Sequence, residues 1–97
     1  MKTTLSEQKI FTVVWESNVD GDVFTAVYPC DSLEVAIAKV EDCKEEVLSQ
    51  GHFSDKDNEN DYDIFNDEDE HFFIIDKSDD YYEDIYITKS NLFVKSK

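Results

Sequence analysis

A chain of 97 residues can bury one modest hydrophobic core and not two, so a single domain spanning 1–97 is expected. It carries 24 acidic and 9 basic residues for a formal charge of -15, and every basic residue is lysine. With that sign of charge, and without the planar arginine fork that clamps phosphates, the expectation is no direct nucleic acid and no membrane as partner; a partner chosen by electrostatics is basic.

No stretch approaches the roughly 20 apolar residues of a membrane span, and 1–9 lacks the apolar middle of a secretory signal. A cytoplasmic protein with a flexible N-terminus over 1–8 is therefore expected. Residues 10–17 then alternate Phe11, Val13 and Trp15 against Ile10, Thr12, Val14 and Glu16, the period of a strand with one wholly apolar face. Asp20-Gly21 supplies the positive φ angles of a tight hairpin, and Val23 to Tyr28 returns as a second strand before Pro29.

The segment from Asp31 to Gly51 reads as a helix, with Asp31 or Ser32 as its N-cap and Gly51 as its stop. Leu33, Ala36, Ile37, Val40, Cys43, Val47 and Leu48 recur at three and four, giving one stripe that lies on a sheet. Glu41, Asp42, Glu45 and Glu46 occupy the other side. Cys43, about 11 residues into a helix rising ~1.5 Å per residue, stands too far from Cys30 for a disulfide, so both are expected as buried thiols.

Residues 54–70 read as an acidic loop between the helix and a second hairpin; they carry nine carboxylates and one lysine. The second hairpin places one strand at His71 to Ile75 and another around Tyr82 to Thr88, joined by a turn that adds Asp76, Asp79, Asp80, Glu83 and Asp84 to the acidic surface. Together these elements give an α+β two-layer sandwich of order ββαββ, with about four mainly antiparallel strands covered by one helix.

No catalytic constellation stands out, and the expectation is no enzyme. His52 and His71 have no serine or cysteine context, and Gly21 and Gly51 are both taken by turns, leaving no glycine-rich loop for phosphates. No cofactor is implied. A calcium loop over 55–66 has its ligands at alternate positions, but Asn60 and Asn66 stand where such a loop needs glycine and a bidentate glutamate.

The acidic run has a sharper reading, as a surface that imitates a polyanion. Asp55, Asp57, Glu59, Asp61 and Asp63 would line one side of an extended segment, with Tyr62 and Phe65 among them and Asp79, Asp80 and Tyr82 in the second cluster. Aromatic anchors supply affinity while the charges supply the on-rate. In design, not in motif, such a chain resembles the small acidic, arginine-poor proteins of phages and mobile elements that occupy the DNA site of DNA-binding machinery. That resemblance implies a basic, nucleic-acid-binding protein as partner and a DNA-mimic inhibitor as function. The plainer alternative is an accessory domain whose acidic loop is only solvated. Oligomeric state is left open.

Overall fold

The computed structural model describes residues 3–49, 53, 62–67, 70–76 and 81–95. The elements run β1 (Leu5–Val19), β2 (Asp22–Cys30), α1 (Leu33–Ser49), β3 (Tyr62–Asp67), β4 (His71–Asp76) and β5 (Tyr81–Lys95). They form an α+β fold in which one helix covers a five-stranded sheet of order β2-β1-β5-β4-β3, antiparallel at every pairing.

The first hairpin turns where the residues require it. Asp20 and Gly21 have φ of 55° and 93°, and the Gly21 amide donates to Asn18 Oδ1 at 2.9 Å. Two successive positive φ angles match the twist of the flanking strands, which is why the turn closes in two residues. Pro29 lies inside β2, where it is tolerated because β2 is an edge strand. The helix begins as its cap predicts, with Ser32 Oγ accepting from the Val35 amide at 3.2 Å; Gly51 lies outside the described residues.

Four strands were expected and five are present, in the order ββαβββ. The additional strand, β3, comes from the acidic run itself. Its charges do not prevent pairing because each acid meets a non-acidic partner: Asp63 faces Ile75 and Asp67 faces His71, while Ile64 faces Ile74 and Phe65 faces Phe73. Two apolar cross-strand pairs and a full ladder outweigh the repulsion along the strand. The central strands are also longer than the residues suggest, at 15 residues each or about 50 Å of chain. β1 begins at Leu5, within the stretch expected to be flexible, because 5–9 pairs with 91–95 of β5.

The core lies between α1 and one face of the sheet. Val13, Phe72, Ile74 and Ile85 rise from the strands to meet Ala36, Val40, Cys43 and Val47 of the helix, and all eight are buried. Each large side chain there contributes about 1.5–3 kcal/mol of hydrophobic stabilisation. Cys30 and Cys43 are both buried and free, as expected. Asp76 and Glu83 were expected on the acidic surface and are instead on the helix side of the sheet. Asp76 is 3 % exposed. Glu83 is partly buried and accepts from Trp15 Nε1 at 3.2 Å and Ser17 Oγ at 3.0 Å. The reason is parity: each is two residues from an inward apolar neighbour, Ile74 and Ile85.

Candidate interaction surface

A strand shows alternate residues to opposite faces, so the register that aims Val13, Ile85 and Phe72 at the helix aims their neighbours away from it. On that open face the strands line up in rows. One row runs Asp63, Ile75, Tyr82, Asn18 and Val23; the next Phe65, Phe73, Asp84, Glu16 and Thr25; the third Asp67, His71, Tyr86, Val14 and Val27. No described helix packs here.

The rings on this face contact one another. Phe65 and His71 meet edge-on with centroids 5.6 Å apart, His71 and Tyr86 do so at 6.1 Å, and Phe73 lies 5.9 Å from Tyr82. Such contacts favour these ring orientations over others. Phe65 is nevertheless 55 % exposed, with Val23 and Val27 at 54 % and 59 %. The edge strand that carries Phe65 thus presents this expected anchor to solvent.

Four carboxylates stand among these rings: Glu16, Asp63, Asp67 and Asp84. Glu16 Oε2 accepts from the Tyr82 hydroxyl at 2.7 Å, and His71 Nε2 lies 2.7 Å from Asp84 Oδ1. The Tyr82 hydroxyl is pushed above its usual pKa, first by that hydrogen bond to Glu16 and then by desolvation and the charges of Glu16 and Asp84. The described lysines all belong elsewhere. Lys39 and Lys44 lie on α1, while Lys9, Lys89 and Lys95 have the strand parity of the helix side.

Of the sequence-predicted site residues, Asp63, Phe65 and Tyr82 come together on this one face, in adjacent rows. Tyr62 opens β3 and pairs with Asp76. Asp55, Asp57, Glu59, Asp61, Asp79 and Asp80 lie outside the described residues. Positions 62–66, the last five of the calcium loop read over 55–66, are extended strand, and 55–61 lie outside the described residues. Among the described residues, no group of three or more His, Cys, Asp or Glu side chains is placed to hold a metal.

Sequence reasoning missed Glu16, His71, Phe73 and Tyr86 as members of the surface. Their signal was the second parity of each strand, which identifies a face but not whether anything covers it. The molecule is thus an α+β domain with one sheet face under a helix and the other set with rings and carboxylates. No family model, curated protein or solved structure matches the chain. No described helix is long and apolar enough to cross a membrane.

Proposed function

We propose that this is a non-enzymatic protein-interaction domain that presents its open sheet face to a basic protein. The observation that carries the reading is segregation of charge. On that face every described ionisable side chain apart from His71 and the two tyrosines is a carboxylate, and all five described lysines lie on the helix side. Rings between the acids give a partner something to pack against, and the acids attract and orient it.

A bare sheet with aromatic side chains is also how single-stranded RNA is held, base by base. Such platforms are ringed by cations that meet the phosphates, and here carboxylates occupy those positions. A basic partner suits the face where a nucleic acid does not. The sharpest form of the reading makes that partner a DNA-binding protein whose nucleic-acid site the carboxylates fill. Two free, buried cysteines suit a reducing compartment such as the cytoplasm.

The test is capture from host lysate at low salt on immobilised wild-type protein and on the Glu16→Lys/Asp84→Lys double variant, with excess DNA in a parallel sample. Wild type is expected to retain a basic protein that salt elutes and DNA displaces, and the double variant to lose it. Equal capture by both proteins would remove this face from the account. Capture that DNA leaves intact would keep a basic partner and discard the mimicry.

A further inference from the structure

The two edges of the sheet differ in how they are guarded. An edge strand exposes unpaired amides and carbonyls, and charged side chains are a common protection against pairing with another chain. β3 has that protection in Asp63 and Asp67. β2 lacks it: from Val23 to Tyr28 the strand is uncharged and rich in β-forming residues, with Phe24 61 % exposed beside Val23 and Val27.

The register fixes which groups of β2 have no strand partner among the described residues. The two-residue turn makes Val19 and Asp22 the closing hydrogen-bonded pair, and bonded pairs then alternate along the hairpin at Phe24, Ala26 and Tyr28. The amides and carbonyls of Val23, Thr25 and Val27 therefore point outward. Pro29, which has no amide to offer, comes after the last of them.

We propose that β2 pairs antiparallel with β2 of a second copy of this chain, about a two-fold axis through Thr25, joining two sheets into one. In that register the outward groups of Val23, Thr25 and Val27 meet those of the second copy's Val27, Thr25 and Val23. Thr25 lies beside its own counterpart, and the valines pair across the open face; threonine and β-branched pairs are favourable there. On the helix side Phe24 falls beside the second copy's Ala26, a large side chain against a small one.

Charge selects this partner and this direction. Lys39 Nζ sits 4.2 Å from the centroid of the Tyr28 ring, and this register brings the second copy's Asp22 beside Tyr28 on the same face. The two-fold axis makes the pair twice. A parallel strand, or an antiparallel one shifted along β2, would not. Along Val23 to Tyr28 two chains of formal charge -15 can also approach through uncharged strand side chains.

The inference is independent of the acidic-face reading, because dimerisation and partner capture respond to salt with opposite sign. Salt screens the repulsion between two like-charged copies and strengthens their pairing, whereas it weakens attraction to a basic partner. Sedimentation equilibrium of the full chain in about 0.05 M and about 0.5 M salt is expected to show a monomer–dimer equilibrium that shifts toward dimer in the higher salt.

Thr25→Pro removes one outward amide at an edge position that accepts proline, and should weaken the dimer at least about tenfold while the far-ultraviolet spectrum stays unchanged. Lys39→Asp or Asp22→Lys alone should weaken it, and the two together should restore it. Should Thr25→Pro unfold the chain, the charge exchange still decides the matter. A monomer at every concentration and salt overturns the proposal, and so does a dimer indifferent to these changes.

Discussion

Glu16 and Asp84 stand directly opposite one another across β1 and β5, two carboxylates facing each other on the open face of the sheet. Like charges in that relation are destabilising. Their neighbours soften it, Tyr82 donating to one and His71 holding the other, each at 2.7 Å. Glu16→Gln removes the repulsion and leaves an amide oxygen for the Tyr82 hydroxyl. It is expected to raise stability by a few tenths to about 1 kcal/mol, read from urea midpoints at neutral pH. If the same change also weakens partner capture, stability has been given up for function at this pair. A loss of stability would show that the facing carboxylates are not strained.

Glu83 gives a pH signature. Burial raises its pKa, and the Glu46 charge adds to the rise, while hydrogen bonds from Ser17 and Trp15 oppose it. The folded chain therefore holds this proton more tightly than the unfolded one. Stability through this group is fully present below the unfolded carboxylate range and falls as pH rises from there to the raised value. Above that window the buried ionised form carries the cost. Glu83→Gln should flatten this dependence, so its stability relative to wild type is expected to be higher at about pH 7.5 than at about pH 4. Parallel stability profiles for the two proteins would assign Glu83 no part in it.

The thiols should be inert. Cys43 is buried on the sheet-facing side of the helix that carries it, and burial pushes its pKa up, so little of the reactive thiolate forms. Cys30 is buried as well and donates to the Tyr28 carbonyl at 3.4 Å. Thiol titration at neutral pH is expected to label neither residue in the folded chain within minutes and both in urea. Rapid native labelling at Cys43 would mean that the helix does not seal the core as described.

Elements whose signal is local were legible in the residues. Asp20-Gly21 announced the hairpin because its backbone angles are a property of two residues, and α1 was announced by its apolar stripe and the Ser32 cap. β3 was not legible, since its acids read as loop until Phe73 and Ile74 are placed opposite Phe65 and Ile64. The far half of β5 was equally obscure. Ser90 and Asn91 are turn formers by habit, and they stay extended because Ile10 and Lys9 pair with them. The interaction surface needed the same kind of long-range information. The alternation of Glu16 with Trp15 showed that β1 has two faces, but which of them the described helix covers is a property of the assembled sheet.

The most direct test of the acidic face is association kinetics with the captured basic protein, measured against salt for wild type, Glu16→Gln/Asp84→Asn and Phe65→Ala. The account predicts that the charge-neutral variant associates more slowly and with a shallower salt dependence, at nearly unchanged dissociation, because steering is lost. Phe65→Ala should do the reverse, dissociating faster at nearly unchanged association. If both variants alter the two rates alike, or neither alters any, the carboxylates and rings of this face are not what the partner binds.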